Sequence, residues 1–172
     1  MNNSEPAIRL RAMEPEDLDA LYQIENDRDT WDIGTTNVPY SRYALHDYMA
    51  RCTSDIYTDK EVRLMIENAD GEVVGIADLT NFDPKSMKAE IGLVIQREHR
   101  GKGYALATLH ALHAYASHTL HLHQIYAVIP VSNEHCIHLF RLFGYKESAR
   151  LDDWLRHDAD YEPAVIMQFI LS

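Results

Sequence analysis

Apolar and polar residues alternate in several short segments of the chain, and this period of two predicts β-strands with one buried face. The segment AIRLRAM near the start is an example, and VRLMIE and EVVGIADL are two more. An Asp70-Gly71 pair lies between those two segments, as in a tight hairpin turn. The predicted strands are 7–13, 62–67, 72–79, 88–95, 124–129, 145–151 and 164–171.

Apolar residues spaced three and four apart predict amphipathic helices between the strands. The clearest stripe runs from Gly103 to Leu120. Other helices are predicted at about 15–25, 41–54 and 133–143, the second capped by Ser41 and the last ended by Gly144. Residues 26–43 and the acidic segment 152–163 are predicted to be loops, and the sum is an α+β sheet with helices on both sides.

Size and composition fit one globular domain over residues 1–172. The chain is 46% hydrophobic and 25% charged, which is ordinary for a folded protein. Cys52 and Cys136 are far apart, so a reducing, cytoplasmic compartment is expected rather than a disulfide framework. No signal peptide and no membrane-spanning segment is predicted.

Net charge narrows the choice of partner. With 27 acidic against 16 basic residues the net charge is −11, which opposes binding to nucleic acid. The same charge would attract a cationic acceptor such as a polyamine or a basic peptide. The alternative is that the acidity serves solubility alone.

The segment most informative about chemistry is EIGLVIQREHRGKGYA, in which a predicted strand runs through a glycine-rich turn into a helix. Glycines allow close approach of a ligand, and the first amides of a helix have no internal partner, so such a turn is suited to phosphate. The alternative is a glycine-rich turn between a strand and a helix that binds nothing. Arg100 and Lys102 add positive charge for a pyrophosphate. The sequence contains neither of the glycine motifs typical of nucleotide triphosphate or dinucleotide sites.

Arg100-x-x-Gly103-x-Ala105 resembles the [Q/R]-x-x-G-x-[G/A] signature of the GNAT family of acetyl-CoA-dependent N-acetyltransferases. The later block from Asn133 to Tyr145 is similar to a second motif of that family. The resemblance covers about Ile8 to Leu171, and the spermidine/diamine acetyltransferase-like group is the closest, bordering the ribosomal-protein N-terminal acetyltransferases. It implies a mixed, mostly antiparallel sheet of about seven strands, with two central strands splayed around acetyl-CoA.

The resemblance also implies a set of cofactor contacts. The backbone of Leu93, Val94 and Ile95 would pair with the pantetheine arm as an added strand. The turn would hold the pyrophosphate through Arg100, Gly101, Lys102, Gly103, Tyr104 and Ala105. Asn133 would bond the cofactor arm, and Cys136 and Phe140 would line its thioester end.

Transfer to an amine needs a proton acceptor, because an ammonium has no lone pair. Glu90 is the first candidate base, at a place where relatives carry a catalytic glutamate, and Asp78 is the second. The alternative for each is a solvated carboxylate at a strand end. Phe140 stands where many relatives have an acidic tyrosine, so the general acid is open among Cys136, Tyr104 and Tyr126.

The loop after the first helix is the expected acceptor wall, because carboxylates and an aromatic ring bind an alkylammonium. Its candidate residues are Glu25, Asp27, Trp31 and Asp32, with a solvated loop as the alternative. No metal site is expected, although ten histidines are present. The sequence thus predicts acetyl transfer to a small polyamine, with a protein N-terminus or a non-catalytic CoA-binding module as alternatives, and homo-oligomers are possible.

Overall fold

The computed structural model describes residues 5–28, 38–157 and 159–171, without the side chain of residue 157. Within these residues, seven strands form one sheet in the order β1-β2-β3-β4-β5-β7-β6. All neighbours are antiparallel except β4 and β5. The strands are β1 Ile8–Arg11, β2 Val62–Asn68, β3 Val73–Asp83, β4 Lys88–Ile95, β5 Gln124–Pro130, β6 Lys146–His157 and β7 Asp160–Ile170. The predicted mixed, mostly antiparallel sheet is confirmed.

Five α-helices are found in the described part of the chain: α1 Leu18–Glu25, α2 Arg42–Arg51, α3 Ile56–Asp59, α4 Tyr104–His118 and α5 Glu134–Phe143. The predicted caps are present. Ser41 Oγ accepts from Ala44 N at 3.0 Å, and Gly144 ends α5 with φ +115°. The four-residue helix α3 was not predicted, because one turn is too short to show a periodicity.

The helices cover both faces of the sheet, as predicted. On one face, α4 and α5 enclose the larger core, where Leu109, Ile125 and Met167 are fully buried. On the other face, α1 and α2 cover a smaller core around Leu21 and Met65. We call these the α4/α5 face and the α1/α2 face. Since side chains alternate along a strand, each strand residue belongs to one or the other.

The prediction of a loop at 152–163 is wrong for the residues that the structure describes. Residues 152–157 continue β6 and residues 160–163 begin β7, with Leu155 opposite Glu162 and Arg156 opposite Tyr161. The pairing shifts register between Leu151 and Leu155, where Asp153 has φ +49°. A bulge absorbs residues with weak strand propensity, so the run of aspartates that suggested a loop interrupts the ladder without ending it.

A buried histidine joins α4 to the start of the last hairpin. His113 lies 2.7 Å from the Tyr145 hydroxyl through Nε2, and the rings of Phe143 and Phe169 are within 4.4 and 4.6 Å of its ring centre. Burial lowers the pKa of His113 to about 4, with a further contribution from the charge of His110. The imidazole is therefore neutral in the folded protein at neutral pH.

Because His113 is buried in its neutral form, we expect the free energy of unfolding to fall in mild acid. Above its ordinary pKa of 6.5 the imidazole is neutral in both the folded and the unfolded protein, so it makes no contribution to the pH dependence of the free energy of unfolding. Between pH 6.5 and about 4 only the unfolded chain binds the proton, which costs the folded state up to about 3 kcal/mol. Urea unfolding at several pH values should show this decline in the wild type and its absence in His113→Gln.

Tyr145→Phe is the matched control, because it removes the hydrogen bond but keeps the titrating ring. It should lower stability at every pH and leave the slope in place. The carboxyl groups of Asp17 and Glu67 affect only the lower part of this range. Hydrogen bonds from Arg11 lower their pKa values from 3.8 and 4.5 in the folded protein, so their stabilisation begins to be lost as pH falls towards those ordinary values, and the slope above about pH 5 belongs to His113. An unchanged slope in His113→Gln would refute the assignment.

Among the described helices, none combines the length and apolar character needed to cross a bilayer.

Candidate active site

The central strands β4 and β5 separate after a short stretch of parallel pairing. Only Lys88, Ala89 and Glu90 of β4 pair with Gln124, Ile125 and Tyr126 of β5. Beyond this point β4 continues on β3 to Ile95, and β5 continues on β7 to Pro130. The facing edges of the two strands are then not paired with each other, and the splayed geometry predicted from the family resemblance is confirmed. We call this opening the gap.

The register shows which backbone groups face the gap. Gln96 N donates to Val74 O at 2.9 Å, so the even residues of β4 direct their amides and carbonyls to β3. The odd residues direct their amides and carbonyls towards β5. Met87, just before β4, does the same, and its carbonyl accepts from His123 N at 2.7 Å. Leu93 and Ile95 consequently present their backbone groups to the gap.

This alternation narrows the predicted contacts with a pantetheine arm. Val94 belongs to the β3 ladder, and its side chain packs on the α1/α2 face with Ile76. The Ile95 carbonyl accepts from Arg100 Nε at 2.9 Å, which leaves its amide for a ligand. The edge open to an added strand is therefore formed by Leu93 and Ile95, whereas Val94 contributes its side chain.

The turn after β4 has the geometry expected of a phosphate site. Gly101 and Gly103 have φ +73° and +87°, a left-handed conformation that glycine adopts without strain. The first helical bond runs from Ala107 N to Gly103 O, so the amides of residues 104–106 have no partner within the helix. Gly103 has no side chain to cap them, and the helix dipole adds positive potential there.

The charged residues of the turn take different positions. Lys102 is exposed, so its ammonium is accessible to a phosphate. The Arg100 side chain turns back to the end of β4 and so ties the turn to the strand. Tyr104 and Ala105 are half-buried and pack against the larger core, while their amides belong to the first turn of α4.

The residues predicted on α5 lie on the α4/α5 face of the gap. Asn133 caps the helix through Oδ1, which accepts from Cys136 N at 3.1 Å, so only its amide nitrogen remains for a cofactor. Phe140 is 3% exposed and packs edge-on against Tyr145. Burial raises the pKa of the Cys136 thiol to about 11, and such a thiol is a poor proton donor to a CoA thiolate.

Glu90 lies at the closed end of the gap. Its strand neighbours Ala89 and Ile91 face the larger core, so Glu90 points to the α1/α2 face. The carboxylate is half-buried, and one oxygen accepts from Asn81 Nδ2 at 2.8 Å. Asn81 has φ +51° at an irregularity of β3, which aims its amide at Glu90. The second oxygen is the group that can meet an amine.

Asp78 lies on the same face but is held differently. Arg63 of β2 donates to both of its oxygens, at 2.8 and 2.9 Å, and also to Glu25 at the end of α1. Burial alone would lower the pKa of Arg63, but Asp78 and Glu25 together raise it. The guanidinium is therefore permanently charged, and this fork occupies the carboxylate of Asp78, which disfavours Asp78 as a base.

The predicted acceptor residues lie partly together. Glu25 belongs to the Arg63 network, and Asp27 lines a cavity of about 410 Å³ between the end of α1 and the end of β4. Val94 and Gln96 form the β4 side of this cavity. Trp31 and Asp32 lie outside the described residues.

Sequence reasoning missed the centre of the network, which consists of Arg63, Tyr48 and Glu61. The Tyr48 hydroxyl donates to Glu61 at 3.2 Å, and the Arg63 guanidinium lies 5.5 Å from the Tyr48 ring centre. The available signal was the alternation of β2, which puts Arg63 on the same face as buried Met65. A charged residue at an inward position calls for buried partners.

Metal ligands do not assemble in the part of the chain that the structure describes: no three of its His, Cys, Asp and Glu side chains are grouped to hold an ion.

Comparison with known proteins agrees with this geometry. A family model described as an acetyltransferase (GNAT) domain matches residues 7–146. Spermidine N(1)-acetyltransferase of Escherichia coli (strain K12) is 27% identical over 167 residues, which cover 94% of this chain and 84% of that protein. The crystal structure of spermidine N-acetyltransferase from Vibrio cholerae in complex with CoA and spermine aligns with a TM-score of 0.85 and 26% identity, over 95% of both chains.

A dodecameric structure of the Vibrio cholerae spermidine N-acetyltransferase in an intermediate state has a TM-score of 0.81 and 27% identity, covering 96% of this chain and 94% of the other. The matched region includes the gap, the turn after β4 and helix α5.

Proposed function

Since the chain belongs to the GNAT acetyltransferase family, which transfers the acetyl group of acetyl-CoA to an amine, we propose that its acceptor is a polyamine or a similar small cationic amine. The observation that carries the proposal is the charge of the α1/α2 face beside the gap. Among the described residues there, Asp78 and Glu25 pair with the guanidinium of Arg63, while Glu90 is bonded only to the neutral amide of Asn81. The excess of carboxylates attracts an ammonium. The names of the relatives support the same class of acceptor.

The proposed binding of acetyl-CoA uses the two open sets of backbone groups. The pyrophosphate contacts the amides of residues 104–106, with Gly101 and Gly103 allowing close approach and Lys102 supplying charge. The pantetheine arm pairs with Leu93 and Ile95, and the Asn133 amide nitrogen bonds its far side. The thioester then lies in the gap, near its closed end at Glu90.

The proposed reaction is direct attack within a ternary complex. The Glu90 carboxylate takes a proton from the acceptor ammonium, and the neutral nitrogen attacks the thioester carbonyl. A β4 amide that faces the gap, at Leu93 or Ile95, stabilises the resulting oxyanion. Arg63 holds Asp78 and Glu25 in place, so that an acceptor's second ammonium meets a net negative surface rather than a mobile loop.

Two coarser properties accompany this proposal. Both cysteines are free thiols, which supports a cytoplasmic location. The dodecameric relative supports assembly into homo-oligomers.

The test is release of CoA thiol from acetyl-CoA in the presence of separate acceptors: spermidine, spermine, short peptides with free N-termini, and aminoglycosides. We expect turnover with the polyamines and little with the others. Turnover with peptides alone would overturn the polyamine proposal in favour of N-terminal acetylation. Saturable binding of acetyl-CoA without turnover on any acceptor would favour a non-catalytic module, which the phenylalanine at position 140 would then explain.

A further inference from the structure

The two residues of α5 expected at the thioester end do not supply the acid that acetyl transfer calls for. Phe140 has no ionisable group, and the Cys136 thiol is half-buried in the larger core. When the tetrahedral intermediate collapses, the CoA thiolate leaves and takes up a proton. A donor on the other face of the sheet would serve equally, because a thioester placed in the gap between β4 and β5 could be approached from either face.

Tyr126 meets the geometric requirements for such a donor. It is the last residue of β5 that pairs with β4, directly opposite Glu90, so it marks the closed end of the gap. Its neighbours Ile125 and Ala127 are buried in the larger core, and Tyr126 therefore points to the α1/α2 face, as Glu90 does. Paired strands lie about 4.8 Å apart, which brings the phenol and the carboxylate to the same end of the thioester.

We propose that Tyr126 is the catalytic acid of this enzyme and that its phenol protonates the departing CoA thiolate. The proposal rests on the proposed acetyl transfer to an amine. The resemblance to the family implied an acid on α5, at the position of Phe140. Here the acid approaches from β5, on the opposite face of the sheet.

Glu90 and Tyr126 together account for every proton that moves in the reaction. Glu90 removes one proton from the acceptor ammonium, and the amine nitrogen forms the C–N bond. Collapse of the intermediate breaks the C–S bond, and Tyr126 gives its proton to the sulfur. The amide nitrogen loses its second proton to the Tyr126 phenolate, and Glu90 returns the first to solvent. The products are the acetamide, CoA thiol and one free proton.

The surroundings of Tyr126 keep the phenol protonated between turnovers. Burial raises its pKa, and the negative charge of Glu90 raises it further. The raised pKa of Tyr126 keeps its proton on the phenol, so that Glu90 does not remove it.

Four variants test the proposal with acetyl-CoA and spermidine: Tyr126→Phe, Phe140→Tyr, the double variant, and Tyr161→Phe as an exposed control on β7. Tyr126→Phe should lower kcat about 100-fold with unchanged acetyl-CoA affinity, the lower end of the usual contribution of a general acid, because a thiol is already a good leaving group. Phe140→Tyr in the Tyr126→Phe background should recover most of that loss. Tyr161→Phe should behave as the wild type.

The outcomes separate this proposal from the proposed function. Wild-type turnover with an equally active Tyr126→Phe variant would overturn the role of Tyr126 and leave the acetyltransferase assignment intact. A wild type without turnover on any amine would overturn the assignment and Tyr126 together. The variants at Tyr126 and Glu90 also differ in pH dependence, because Tyr126→Phe should keep the shallow wild-type profile between pH 6 and 9, whereas Glu90→Gln should steepen it. A profile of Tyr126→Phe as steep as that of Glu90→Gln would contradict the proposal.

Discussion

Replacement of Glu90 by glutamine should lower kcat at pH 7 about 100- to 1,000-fold with little change in acetyl-CoA affinity. The amide keeps the bond from Asn81 but cannot accept a proton from the acceptor ammonium. The variant then depends on the small fraction of neutral amine in solution. Its rate should rise about tenfold per pH unit towards the amine pKa, whereas the wild type should be flatter. Initial rates of thiol release between pH 6 and 9 measure both effects.

Asp78→Asn distinguishes a base from a structural carboxylate. Arg63 would lose one of its charged partners, so this variant should unfold at lower urea concentration but retain the pH profile of the wild type. Glu147→Gln removes an exposed carboxylate of β6 and should change neither property. Full activity of Glu90→Gln at every pH would show that the base is elsewhere.

The parts of the site that could be predicted from the sequence are those determined by local chemistry. Strand β4, the glycines of the turn and the first residues of α4 follow one another in a single segment, residues 88–106. Each has a local requirement: alternation for Leu93 and Ile95, and positive φ for Gly101 and Gly103. The gap between β4 and β5 could also be predicted, although indirectly, because the motif indicates the GNAT family and the fold of that family includes two splayed strands.

The parts that could not be predicted depend on contacts between distant residues. Arg63 and Glu25 are separated by 38 positions, and nothing near Glu25 indicates that a guanidinium will occupy it. The sequence therefore suggested that Glu25 binds the acceptor directly, whereas the structure places an internal cation against it. The full length of the hairpin of β6 and β7 was not predicted for the same reason. The bulge at Asp153 allows strand pairing to continue through residues that favour turns.

This internal cation also changes how the acceptor site is understood. The fork of Arg63 to Asp78 and its bond to Glu25 link β2, β3 and the end of α1 on one face. A paired carboxylate attracts an amine less strongly than a free one. The local charge that remains for the acceptor is therefore concentrated at Glu90, where the acetyl group is expected, and the sheet rather than a loop sets that position.

Gly103→Asp should abolish useful binding of acetyl-CoA while the protein stays folded. Aspartate tolerates the left-handed φ of +87° better than most residues, and its Cβ would meet Pro6 Cδ at 3.1 Å, a contact that a small shift relieves. Its carboxylate, however, would lie at the amides that receive the pyrophosphate. Repulsion of about 3 kcal/mol at 5 Å corresponds to a loss of acetyl-CoA affinity of about 100-fold.

Gly103→Asn is the matched control, because it has the same shape and backbone conformation without the charge. It should weaken binding by about tenfold or less, and the difference between the two variants should shrink at high ionic strength. Calorimetric titration with acetyl-CoA at two salt concentrations, together with a thermal melt of each variant, measures this. Equal affinities for Asp and Asn would mean that no phosphate lies at the start of α4, and the turn would then bind the cofactor by shape alone.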